Sequence, residues 1–188
     1  MSGMTFEKRD TPLSGVYLLK RAIRADDRGI ISKTFNGDQF RNIGLDPAIG
    51  ESIYSISQRN VLRGMHFQRP PHDHAKLVHV IEGEILDVVV GVGFGASTGE
   101  PGQSFGTVLS PENGLSMYIS PGYAHGFLVL SERAIVSYVT STGYEASHDT
   151  AIHFNSFNFQ WPENIVPLVS DKDAAAPGLD AYLRDSVK

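Results

Sequence analysis

KLVHVIEGEILDVVV, residues 76–90, is the stretch from which the fold can be read. Two apolar runs flank Glu82-Gly83, and this arrangement predicts a tight β-hairpin turn between strands Ala75–Ile81 and Glu84–Val92. The same grammar continues outward in both directions, with 19 glycines and 10 prolines punctuating short apolar runs. Upstream, the candidate strands are Gly15–Leu19, Ile30–Phe35, Glu51–Ser57 and Val61–Gln68. Downstream they are Phe105–Leu109, Leu115–Ile119, His125–Leu130, Ala134–Thr140 and Ala151–Phe154, with Pro121-Gly122 as another turn. Helix signals are confined to Asp38–Ile43 and to broken turns within Lys172–Arg184. Many short strands with so little helix predict an all-β chain, a double-sheet jelly roll or related barrel. The mouth of such a shell can hold a small ligand.

Composition narrows the class. The chain has 188 residues, 41% hydrophobic and 20% charged, and residues 1–188 read as a single globular domain. No apolar run reaches the roughly 18 residues of a membrane span, so no membrane association is expected. The opening MSGMTFEKRD has no apolar core of a secretory signal. Zero cysteines exclude disulfides, thiolate zinc sites and cysteine nucleophiles, and fit a cytoplasmic location. A net charge of −5 argues against a nucleic-acid binder, so an anionic substrate would need a local basic pocket.

Several polar residues interrupt the apolar strands. In NVLRGMHFQ (60–68), strict alternation puts Arg63 and His66 on opposite faces. A bulge at Gly64 would add one residue and turn both into one pocket; otherwise they read as a satisfied core histidine and a snorkelling arginine. Lys76, at the start of a strand, reads as an edge gatekeeper. Asp87 lies amid Ile, Leu and Val, where a carboxylate either orients a base or joins a structural hydrogen-bond network. His125 follows the Pro121-Gly122 turn, Tyr138 reads as strand core filling, and SDKD (170–173) as a charged surface loop. A metal centre is the competing reading, with His72, His74 and His125 as ligands. Val78 and His79 stand where a fourth, carboxylate ligand would be expected, and Pro70-Pro71 favour a loop for His72 and His74.

Together DDRG (26–29), NVLRGMHFQ (60–68), KLVHVIEGEILDVVV (76–90), LSPEN (109–113), SPGYAHGFLVLSE (120–132) and SDKDAAAP (170–177) resemble the dTDP-4-dehydrorhamnose 3,5-epimerase family. The resemblance implies a double-stranded β-helix of the cupin type, with short C-terminal helical turns. It implies an isomerase of nucleotide-diphosphate 4-keto-6-deoxysugars, working without cofactor or metal. It makes His66 the general base, Asp173 its orienting carboxylate, Tyr138 the proton donor and Lys76 the group beside the keto oxygen. Arg28, Arg63, His125 and Lys172 fall on positions that hold the sugar or its diphosphate, Tyr144 on an aromatic that stacks on the base, and Asp149 on an acidic contact. Gln68, Lys33 and Glu51 complete the expected substrate-binding set. The resemblance further implies a homodimer that exchanges the strand following DDRG.

The residue types suit that chemistry. A C4 ketone acidifies the hydrogens on C3 and C5, so one imidazole can serve both carbons. A carboxylate fixes its tautomer, a cation receives the enolate charge, and a phenol reprotonates the opposite face. The family's Gln-Asp-Asn-His-Ser stretch is here Glu51-Ser52-Ile53-Tyr54-Ser55, Lys33 replaces a glutamate, and His79 departs from KLVRV. These departures leave open a CDP- or GDP-linked substrate and inversion at one carbon only. A non-catalytic sugar-binding jelly roll is the remaining alternative.

Overall fold

The computed structural model describes residues 5–94 and 100–186; residues 1–4, 95–99 and 187–188 of the full 1–188 span lie outside the described residues. In chain order the strands are β1 (Phe6–Asp10), β2 (Val16–Arg21), β3 (Ile23–Asp26), β4 (Gly29–Ser32), β5 (Glu51–Gln58), β6 (Leu62–Gln68) and β7 (Lys76–Glu82). They continue as β8 (Ile85–Gly91), β9 (Ser104–Leu109), β10 (Leu115–Ile119), β11 (Tyr123–Val129), β12 (Arg133–Thr140) and β13 (Asp149–Ala151). Helix α1 (Gly37–Asn42) precedes β5, and α2 (Asp171–Ala174) and α3 (Leu179–Ser186) close the chain. The strands form a six-stranded sheet, β1-β2-β10-β7-β12-β5, and a five-stranded sheet, β13-β6-β11-β8-β9, with β3-β4 as a separate two-stranded sheet. All named strand pairs are antiparallel. The all-β reading therefore holds, as does the double-sheet jelly roll with short C-terminal helices.

The opening stretch behaves differently from its hairpin reading. β7 pairs with β10 and β12, while β8 pairs with β11 and β9, so the two strands lie in different sheets. Glu82-Gly83 is a corner from sheet to sheet. Gly83 takes φ +81, and a Cβ there would collide with the Arg133 carbonyl and the Ser131 hydroxyl. Both runs bury their inward side chains in the space between the sheets, one run from each side. That space holds Val78, Val80, Met117 and Val136 from one sheet and Ile85, Val89, Phe127 and Val129 from the other.

Each outer face is also covered. Phe40 of α1 packs with Phe6, Leu19, Leu77 and Tyr118 against the six-stranded sheet. Asn36 caps this helix by accepting from Gln39 N at 2.9 Å. Phe154, Phe159, Trp161 and α3 residues cover Met65, Val88 and Val90 of the five-stranded sheet. β1 and β3 escape a pattern-based reading because their outward residues are almost all exposed and polar. The strand expected over Ile30–Phe35 ends at Ser32, and Ala151–Phe154 contributes only Ala151 to β13. No helix among the described residues is long and apolar enough to cross a membrane.

Candidate active site

Between the two sheets, beside the packed core, lies a cavity of about 390 Å³. The six-stranded sheet lines it with Glu51, Ile53, Tyr54, Ser55, Lys76, Tyr138 and Thr140; the five-stranded sheet contributes Arg63, His66, Phe67, Gln68, His125, Phe127 and Asp149. His74, Tyr144 and Lys172 close the rim.

Arg63 and His66 share this cavity because β6 is bulged. Opposite them on β11, His125 pairs with His66 and Phe127 with Arg63, so Gly126 alone faces both Gly64 and Met65. One extra residue reverses the side-chain alternation. Gly64 takes φ +113, and a Cβ there would meet the His125 carbonyl at 2.6 Å. Only glycine fits so close an approach.

The bulge also anchors the His66 imidazole. Asp173 Oδ1 lies 2.6 Å from His66 Nε2, and its Oδ2 accepts from Gly64 N at 3.3 Å. A carboxylate only accepts, so Nε2 carries the proton and Nδ1 keeps the lone pair. Asp173 is buried and stands on α2, whose N-cap Ser170 accepts from Asp173 N. SDKD is therefore a capped helical turn folded onto β6, and the surface-loop reading is overturned. Burial holds the His66 imidazole below its ordinary pKa, and Asp173 partly offsets this.

Lys76 lies on β7, in the interior of the six-stranded sheet, so it guards no edge. Its Nζ donates to the His66 carbonyl at 2.9 Å, and desolvation lowers its pKa to about 8. Across the cavity, the Tyr138 hydroxyl bonds Ser55 Oγ at 3.1 Å, and burial raises its pKa, so the phenol keeps its proton. His125 Nε2 meets Asp87 Oδ1 at 2.7 Å, both deeply buried, and its ring stands edge-on to Tyr138. Arg63 Nε donates to Ser57 Oγ at 2.9 Å. Sequence reading passed over Ser55 and Ser57; serines two apart on a strand otherwise rich in isoleucine were the available signal.

At the rim, Asp149 Oδ2 receives Lys172 Nζ at 2.8 Å and the Tyr144 hydroxyl at 3.4 Å, leaving the Tyr144 ring 61% exposed. Gln68 is a different case. Its amide donates to the His72 carbonyl and toward His74 Nδ1 and Gly143 O, and its oxygen accepts from Glu145 N. With those atoms engaged it holds the Tyr144 loop while lining the cavity. Neither Arg28 nor Lys33 lines the cavity of its own chain. Arg28 sits at the β3–β4 turn, paired with Asp26 in the separate small sheet. The alternative ligands His72, His74 and His125 do not gather, and no cluster of three His, Cys, Asp or Glu suited to a metal occurs among the described residues. His72 packs on His148, His74 accepts from Gln68, and His125 is taken by Asp87.

Comparison with known proteins agrees with this geometry. The family model described as dTDP-4-dehydrorhamnose 3,5-epimerase matches residues 10–181. The dTDP-4-dehydrorhamnose 3,5-epimerase of Salmonella typhimurium strain LT2 is 37% identical over 176 residues, 92% of this chain and 95% of that protein. The Legionella pneumophila enzyme in complex with dTDP-4-keto-L-rhamnose superposes with a TM-score of 0.86 at 32% identity, covering 93% of each chain. A 3'-monoepimerase of Streptomyces bikiniensis in complex with dTDP-quinovose gives 0.87 at 29% identity, over 94% of this chain and 90% of that one. On fold, motif order and cavity alike, this chain belongs to the dTDP-4-dehydrorhamnose 3,5-epimerase family.

Proposed function

We propose that the protein is a cofactor-independent epimerase of a dTDP-linked 4-keto-6-deoxysugar, acting at C3 and C5 in deoxysugar biosynthesis. One observation carries the reading: an imidazole braced by a carboxylate and a protonated phenol line one cavity from opposite sheets. His66 Nδ1 takes the proton from the carbon beside the ketone, and the C–H electron pair passes into the enolate. Lys76 meets the negative charge on O4 inside a desolvated wall. Tyr138 then gives its proton to the opposite face of the same carbon, and exchange with solvent restores phenol and imidazole. Arg63 holds the sugar or its diphosphate, His125 forms the buried wall beside it, and Tyr144 offers its ring to the base. A chain without cysteine suits the reducing cytoplasm, where this reading places it. Solvent deuterium should enter the substrate at C3 and C5 with wild-type protein and not with H66A. Equal exchange in H66A would remove His66 as the base; no exchange in wild type would remove the function.

Glu51 favours a second reading of the nucleotide. A carboxylate lining the rim only accepts hydrogen bonds, and the amino groups of cytosine and guanine supply donors that thymine lacks. A thermal-shift panel of dTDP, CDP, GDP and UDP separates the readings, because the preferred ligand raises the midpoint most.

Two copies complete each cavity in this proposal. The β3–β4 hairpin carries Ile30 and Ile31 at 64% and 59% exposure, and β5 is an edge strand with Tyr54 and Ile56 uncovered. Exchange of the hairpin covers these residues and brings Arg28 to the neighbouring site. Mixing R28A with H66A tests this directly. Hybrid dimers hold one intact site, so activity should return to roughly a quarter of wild type on re-association. No recovery, or a monomer in solution, would overturn the exchange.

A further inference from the structure

We infer that the ion pair between Lys172 and Asp149 is a clasp that holds α2 on β6 and so keeps Asp173 on the base His66. The carboxylate partner of His66 comes from a helix of four residues, too short to hold its own position. Upstream, the chain is tied to β6 at Leu168, which bridges Val61 and bonds Leu62 N and Asn60 O. Downstream, it is tied at Pro177, whose carbonyl accepts from His153 N. Between these ties, among the described residues, the side-chain hydrogen bonds from α2 to the barrel come from Asp173 and its neighbour Lys172. Asp149 is a firm anchor: it belongs to β13, which pairs with β6 so that Asp149 faces Gln68 and Ala151 faces His66. The clasp therefore closes a loop from the base, along β6 and β13, through the ion pair and back to the base by Asp173. An exposed ion pair contributes little to global stability, but misplacing a short helix by 1 Å is enough to spoil a 2.6 Å hydrogen bond. Lys172 is a positioning residue in this reading, distinct from its expected role as a ligand contact.

The test uses K172M and the conservative K172R, read in free protein by NMR, with no substrate and hence independently of the proposed reaction. The charged groups facing His66 are Asp173 on α2, Lys76 on β7 and Asp149 on β13, with His125 paired beside it on β11. Deleting a nearby cation through space alone raises the His66 titration midpoint or leaves it unchanged. A slackened Asp173 lowers it. K172M should therefore lower the midpoint and weaken the downfield His66 Nε2–H signal that D173N abolishes, while K172R keeps both. With substrate, kcat should fall about 10-fold with KM nearly constant. An unchanged midpoint and signal in K172M, with only KM raised, would show that Lys172 serves the ligand and would overturn the clasp.

Discussion

Two histidine–carboxylate pairs sit side by side on neighbouring strands, and their differences are instructive. His66 and His125 face each other across the β6–β11 ladder, with carboxylate oxygens at 2.6 and 2.7 Å. The His66 side chain is 36% exposed to the cavity, while the His125 and Asp87 side chains are 4% and 0% exposed. Asp173 arrives from a distant helical turn; Asp87 comes from β8, the next strand of the same sheet. Among the described residues Asp87 Oδ2 has no hydrogen-bond partner, so His125 is the carboxylate's main compensation. The same two residue types thus leave one imidazole open to the cavity, where the proposed base must act, and make a rigid cavity wall where burial is complete.

The sharpest expected contrast is in turnover. H66A should reduce deuterium exchange by at least about 10³-fold with little change in stability, as judged by urea denaturation. H125A should do the reverse: lose about 3–5 kcal/mol of stability, because a buried carboxylate is left uncompensated. Loss of exchange in H125A at full stability would erase the distinction drawn between the pairs. Y138F should cut epimer formation by about 10²-fold, while His66-dependent exchange survives on the face the base addresses. If Y138F forms the inverted product at wild-type rate, the acid lies elsewhere.

The pH profile separates the pairs more finely. His66 must be neutral to act, and burial lowers its pKa, so activity falls only as the pH drops below the usual histidine range. Lys76 must be protonated, and its pKa is about 8, so activity falls as the pH rises through that value. The expected kcat/KM curve is a bell whose alkaline limb lies near 8 and disappears in K76M, on top of a lower plateau. An alkaline limb that persists in K76M would assign it to another group. The smallest effect is expected from Q68E, since Gln68 holds the Tyr144 loop: a rise in KM of a few-fold with kcat kept.

Much of this molecule was present in its apolar rhythm. The runs at 76–81 and 85–90 announced buried strands, and the glycine inside β6 announced the bulge that lets Arg63 and His66 share a cavity. Motif order supplied the residues of the candidate site, Asp173 among them, although its local sequence read as surface. Strand pairing was less legible, and β7 and β8 show why. A polar-glycine corner looks the same whether the chain turns back within a sheet or crosses to another; only the strands that each run goes on to pair with decide.

What the sequence determined alone was local: backbone preference at the glycines, strand-forming runs, and the chemical types that could act. Tertiary structure decided which side chains meet, because contacts over long separations depend on sheet order and on which face each element buries. It placed Asp173 on His66 across 107 positions, took Lys76 from edge to interior, engaged Gln68 in a loop, and kept Arg28 away from its own chain's cavity. Hydrogen bonds of 3 Å or less demand an accuracy of position that side-chain alternation along a strand does not carry.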